Sequence, residues 1–157
     1  MSEKDSPAAA PFREGRYLVR NVGSGLLLEV YNGAKGSGAN VQQGRETGEL
    51  AQQWDVSLAG GGFYHLVNAN SGKRLDVANA STENGANVQQ WKANNFGAQE
   101  WLIEQHLDAP GTVTLVSHIS GLLLETEDGS TADGANVRQW EDIDSPFQWW
   151  QLEPVTE

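Results

Sequence analysis

Gly38-Ala39-Asn40-Val41-Gln42-Gln43 recurs as Gly85-Ala86-Asn87-Val88-Gln89-Gln90, and again as Gly134-Ala135-Asn136-Val137-Arg138-Gln139. Two further motifs keep step with it. Upstream lie Ser24-Gly25, Ser71-Gly72 and Ser120-Gly121, each followed by a Leu and an acid: Leu28-Glu29, Leu75-Asp76 and Leu124-Glu125. Downstream lies Gln-x-Trp, at Gln52 and Trp54, Gln99 and Trp101, and Gln148 and Trp150. From the Ser-Gly glycine to the first glycine of the repeat is 13 residues in every copy, and from there to the tryptophan is 16. The copies are offset by 47 and 49 residues, so the two added residues fall between Trp101 and Gly121, where Asp108-Ala109-Pro110-Gly111 is the loop to hold them.

Each copy reads as four short strands. Tyr17, Val19 and Asn21 alternate, as do Tyr64, Leu66 and Asn68, and Val113, Leu115 and Ser117; a period of two marks a half-buried strand. A second strand carries Leu28 and Val30, Leu75 and Val77, or Leu124 and Thr126. A third surrounds Val41, Val88 or Val137, and the fourth holds the Gln-x-Trp tryptophan. Helical periodicity is absent beyond single turns. A hairpin-rich repeat cannot bury its apolar face alone, and three blades are too few to close a propeller. Three four-stranded lobes therefore share one core around a pseudo-threefold axis, an all-β β-trefoil. The expected organisation is a flexible lead-in over 1–15 and a single domain over 16–157, with repeats at about 16–62, 63–111 and 112–154.

Composition narrows the function. The 157 residues suit one domain with a real core. Cysteine is absent, which excludes disulfides and thiolate metal sites. A formal net charge of −11 repels nucleic acid and anionic membranes, and biases against acidic glycans. No stretch approaches the roughly 18 apolar residues of a membrane span. Met1 to Gly15 lacks the apolar centre of a signal peptide, leaving a cytoplasmic location or export by another route as the expectation.

The three motifs in register, over roughly Tyr17 to Leu152, resemble the ricin B-type lectin family, and among its members bacterial lectins and the carbohydrate-binding modules of glycoside hydrolases. The resemblance implies one shallow sugar site per lobe. The acid accepts hydrogen bonds from sugar hydroxyls, and the aromatic two residues after the first glutamine stacks on the ring. The chemistry is sound: a pyranose has an apolar C–H face for an aromatic and a hydroxyl rim for a carboxylate.

Carried over residue by residue, the second repeat fits best, with Asp76, Gln89, Trp91 and Gln99, and Asn94 or Asn95 to lend an amide. It departs at Ala98, where many members place Asn. The third has Glu125, Arg138, Trp140 and Gln148; its acid reaches farther by roughly 1.5 Å, one carbon–carbon bond, and Phe147 replaces the Asn. The first has Glu29, Gln42 and Gln52, but Gly44 stands where the aromatic belongs, so no family-type site is expected there; Tyr31 is the nearby aromatic that could stand in.

Blander readings stand beside these. The resemblance implies that Trp54, Trp101 and Trp150 fill the centre of each lobe, and the Gln-x-Trp glutamines read as ties between loop and lobe. Asn40, Asn87 and Asn136 read as turn residues held by local side-chain to backbone bonds. Trp91 and Trp140 are either platforms or partly buried against a neighbouring loop, and Asp76 either a ligand acceptor or a turn-capping carboxylate. His65, His106 and His118 share no metal spacing, Glu141-Asp142-Ile143-Asp144 lacks a calcium-loop pattern, and Asn79-Ala80-Ser81 is a bare glycosylation sequon. The expectation is non-catalytic binding of neutral mono- or oligosaccharides, glycans or polysaccharides, with no cofactor and no metal. A protein-interaction trefoil is the alternative, since fold does not settle function. An enzyme is disfavoured: acids repeated once per lobe make a binding surface, whereas catalysis needs one asymmetric cleft.

Overall fold

A computed structural model describes residues 12–155. Of the lead-in, residues 1–11 lie outside the described residues. The chain is already engaged at Phe12, whose ring packs on Tyr17 at 5.3 Å and whose carbonyl accepts the Tyr64 hydroxyl at 3.0 Å.

Twelve strands are described: β1 (Gly15–Asn21), β2 (Leu27–Val30), β3 (Val41–Gly44), β4 (Gln53–Gly60), β5 (Phe63–Asn68), β6 (Arg74–Val77), β7 (Val88–Trp91), β8 (Trp101–Gln105), β9 (Thr112–Ser117), β10 (Leu123–Thr126), β11 (Val137–Trp140) and β12 (Trp150–Pro154). Strands β1, β4, β5, β8, β9 and β12 pair antiparallel in a closed ring, β12 returning to β1. Closure leaves this barrel no free edge. The hairpins β2–β3, β6–β7 and β10–β11 cap it, completing the trefoil. The two added residues of the second repeat sit in the turn after β8, where the His106 amide bonds the Thr112 carbonyl at 2.9 Å. No described helix is long and apolar enough to cross a membrane.

The alternating residues point inward as their period requires, and all nine of the first-strand positions are buried. Trp54, Trp101 and Trp150 are fully buried, and each indole N–H donates to the carbonyl of the leucine before the lobe's acid: Leu28 at 3.0 Å, Leu75 at 3.1 Å and Leu124 at 3.0 Å. Buried indoles need such a partner, and these bonds lock the Leu-acid strand to the Gln-x-Trp strand. Asn21 and Asn68 close the Ser-Gly turns through their buried amides, with the side-chain oxygen accepting the Gly23 and Asn70 N–H groups. Ser117 holds the equivalent place in the third lobe, and its buried hydroxyl has no hydrogen-bond partner among the described residues.

The second glutamine of each repeat joins neighbouring lobes. Gln43, Gln90 and Gln139 are fully buried; each accepts the serine hydroxyl of its own Ser-Gly turn (Ser24, Ser71 and Ser120). Each then donates to two carbonyls of another lobe: Gln43 to Ser130 and Ala132, Gln90 to Ala34 and Gly36, and Gln139 to Ser81 and Glu83.

One expectation is corrected. Asn40, Asn87 and Asn136 are not held by local backbone bonds. Their amides form a closed ring in which Asn40 donates to Asn136 at 2.8 Å, Asn136 to Asn87 at 2.8 Å and Asn87 to Asn40 at 2.6 Å. The pseudo-threefold axis brings the three capping hairpins together, and one side-chain amide supplies both the donor and the acceptor that such a ring needs.

Candidate functional site

In every lobe the acid and the residue thirteen positions later face each other across the capping hairpin: Glu29 with Gln42, Asp76 with Gln89 and Glu125 with Arg138. The Gln-x-Trp glutamine approaches from the short 3-10 turn before the fourth strand. Gln52, Gln99 and Gln148 are buried, and each side-chain N–H group reaches one carboxylate oxygen, at 2.9 Å on Glu29, 3.0 Å on Asp76 and 3.0 Å on Glu125. The same amides bond a backbone carbonyl, of Arg45 at 2.6 Å, Lys92 at 2.8 Å and Glu141 at 2.7 Å. Gln99 and Gln148 thus position the acid from behind.

The second lobe has an open cavity of about 430 Å³. Asp76, Gln89, Trp91, Asn94 and Ala98 line it. Asp76 is buried; Gln89 bonds one oxygen at 3.1 Å and Gln99 the other at 3.0 Å, which leaves each oxygen further acceptor capacity. Burial pushes the Asp76 carboxyl up from its ordinary range, while the bonds from Gln99 and Gln89 pull it part of the way back. Among the described residues no cation pairs with it. Asn94 is fixed by its own backbone, its N–H bonding Gln99 at 3.1 Å and its side-chain oxygen accepting the Phe96 N–H at 3.0 Å. Asn95 is exposed and lies outside the lining.

Two features of this cavity escape the motif. Phe96, 68% exposed, adds a second aromatic to the wall. Its sequence signal is only an aromatic next to Gly97, with no periodicity behind it. The turn Ala78–Ala80 forms another side, and both Asn79 (φ 58°) and Ala80 (φ 50°) are left-handed there. Glycine occupies the Ala80 position in the other lobes, at Gly33 and Gly129.

The first lobe differs as the missing aromatic implies. A side chain at Gly44 would collide with the Glu29 carboxylate, which takes the space an aromatic would need. A smaller cavity of about 270 Å³ remains, its walls including Glu29, Tyr31, Arg45, Glu49 and Asp133.

In the third lobe the expected residues come together but satisfy one another. Arg138 donates from Nε to Glu125 at 2.9 Å, lies 3.6 Å from Asp128, and sets its guanidinium 4.4 Å from the Trp140 ring centroid. Phe147 packs against Gly129 and Gly23, leaving no room for a Cβ at either. Elsewhere, His118 pairs with Glu100 at 2.6 Å and stacks on Phe63, and His106 bonds Thr114 at 2.6 Å. Among the described residues no group of three or more His, Asp or Glu side chains is arranged to hold a metal ion.

Solved structures share this architecture. The designed threefold-symmetric protein ThreeFoil is 40% identical, with a TM-score of 0.86 over 90% of this chain and 99% of its own. An exo-β-1,3-galactanase from Clostridium thermocellum is 33% identical with a TM-score of 0.87; the match covers 93% of this chain and 31% of the enzyme. A ricin B-like lectin from Macrolepiota procera, solved in complex with lactose, is 18% identical with a TM-score of 0.79, over 93% of this chain and 100% of that one. No curated protein sequence matches. The family model for ricin-type β-trefoil lectin domain-like sequences matches residues 10–91 and 97–157. Lobes, motifs and matches agree, and the chain belongs to the ricin-type β-trefoil lectin-like family.

Proposed function

We propose that the chain is a non-catalytic carbohydrate-binding domain for neutral sugars, acting through the second lobe. The observation that carries this reading is Asp76: a buried carboxylate with no counter-cation among the described residues, held by two glutamine amides, on the wall of an open cavity beside Trp91. Such a group has acceptor capacity for hydroxyl donors, and burial strengthens the bonds it makes. Trp91 and Phe96 offer apolar faces to the C–H side of a ring, and Gln89 and Asn94 supply polar contacts at the rim. The cavity falls in the usual range for small-ligand sites, about 300–1,000 Å³. Membership of a lectin family supports the ligand class; the lactose complex belongs to a relative too distant to carry the sugar's identity.

A single shallow site of this kind binds with a Kd on the order of 1 mM, about −4 kcal/mol. A glycan array at neutral pH followed by titration of Trp91→Ala and Asp76→Ala tests it. Both variants are expected to lose binding while keeping the fold; a hit that survives both changes removes the second lobe from the account.

A further inference from the structure

We propose that the third lobe is a second saccharide site held shut by its own Arg138, which lies on Trp140 and Glu125 where a sugar would lie. The proposal rests on the second-lobe reading, because it takes from there what an open site needs: a stacking face and a carboxylate with free acceptor capacity.

Arg138 covers the first and holds the second in an ion pair. A guanidinium is flat, so it covers an indole as a pyranose ring does, and it is also a donor fork for a carboxylate. Here one side chain uses the two properties together, 4.4 Å from the Trp140 centroid and 2.9 Å from Glu125. Arg138 and Trp140 stand two residues apart on β11 and so share a face of the strand. The pair is well desolvated, with side-chain exposures of 16% for Arg138 and 5% for Glu125. Asp128 at 3.6 Å adds a second anion. A neutral sugar would have to displace a charge-assisted contact and leave the guanidinium to find water.

The other lobes show what Arg138 replaces. Gln42 and Gln89 hold the equivalent place and bond the lobe's acid without a charge. Arg138→Gln therefore installs the residue that this scaffold already accepts twice.

The indole N–H resonances of Trp91 and Trp140 report the two sites separately, and those of Trp54, Trp101 and Trp150 report the fold. The wild type and Arg138→Gln are titrated with lactose, galactose, mannose, xylose and rhamnose, and with glucuronate as an acidic arm. In the wild type the Trp91 signal is expected to shift and Trp140 to stay still; in Arg138→Gln both shift, with comparable affinity. A Trp140 signal that moves with a neutral sugar in the wild type overturns the proposal, because the site is then already open. So does a Trp140 signal that stays still in folded Arg138→Gln and in folded Arg138→Ala/Phe147→Ala. A wild-type response of Trp140 to glucuronate that Arg138→Gln abolishes also overturns it, by making Arg138 a ligand contact. If only Trp140 responds, and only in the variant, the second-lobe reading fails and the closed third site stands.

Discussion

The second and third lobes carry an acid, a Gln-x-Trp glutamine and an aromatic at the same register, and they differ in how those groups are satisfied. Glu125 is neutralised by Arg138, and Trp140 is covered by the same guanidinium. Asp76 has two neutral amides and, among the described residues, no cation, and Trp91 faces a cavity. Both carboxylates are buried, but Glu125 faces a cation while Asp76 has only amides among the described residues, and the second lobe also carries a left-handed alanine. Unresolved cost of that sort collects where a surface is kept ready for a ligand.

The largest effect should come from the buried glutamines. Gln99→Ala and Gln148→Ala each leave a buried carboxylate and two backbone groups short of a partner, a loss of about 3 kcal/mol of stability. Gln99→Ala should cost more, since Asp76 then keeps only the neutral Gln89 amide, whereas Glu125 keeps the charged Arg138 when Gln148 is gone. Urea denaturation of the two variants measures the difference; an equal or reversed ranking would break the contrast between the lobes.

Next is the pair Trp91→Ala and Trp140→Ala. The first should weaken saccharide binding at least about tenfold, or about 1.4 kcal/mol, and the second should leave it unchanged. Sugar titrations of both variants decide it, and equal losses would mean that the third lobe is not closed.

A smaller, pH-dependent effect follows from Asp76. Its carboxyl is raised in the folded protein, so on acidification the native state takes up this proton before the unfolded chain does. Between the unfolded value of about 3.9 and the raised native one, this group therefore favours folding more as pH falls. Binding runs the other way, because a protonated acid loses acceptor capacity. The difference between the wild type and Asp76→Asn, followed from neutral pH towards about pH 4, should show this opposition: relative to the variant, the wild type gains stability and loses affinity as pH falls.

Much of this was legible in the sequence because it repeats. Ungapped spacings fixed the lobes, the alternating residues fixed the strand faces, and the buried tryptophans followed from Gln-x-Trp. What stayed hidden was long-range. The amide ring joins asparagines 47 to 96 residues apart, so a local pattern reads each one as a turn residue. The closure of Trp140 by Arg138 depends on side-chain direction, and Phe96 enters the cavity wall from a turn with no periodicity. Of the two candidate amides, only geometry separates Asn94, which lines the cavity, from Asn95, which does not.

The smallest effect tests the strain of the second lobe directly. Ala80 sits at φ 50°, where glycine stands in the other lobes. A left-handed alanine costs roughly 1–2 kcal/mol, and glycine returns roughly 0.5–1 kcal/mol to the unfolded chain as entropy, so Ala80→Gly should stabilise by about 0.5 kcal/mol. The reverse change cannot be made freely in the third lobe. A Cβ on Gly129 would lie 2.9 Å from the Phe147 ring, whereas one on Gly33 would meet the Asn70 amide at an ordinary 3.7 Å. Gly129→Ala should therefore destabilise more than Gly33→Ala. Ala80 also lines the second-lobe cavity, so Ala80→Gly should gain stability while losing a methyl contact with the ligand. Thermal melts and sugar titrations of the same three variants separate the terms: a gain in both stability and affinity for Ala80→Gly would mean that the strained alanine has no part in binding.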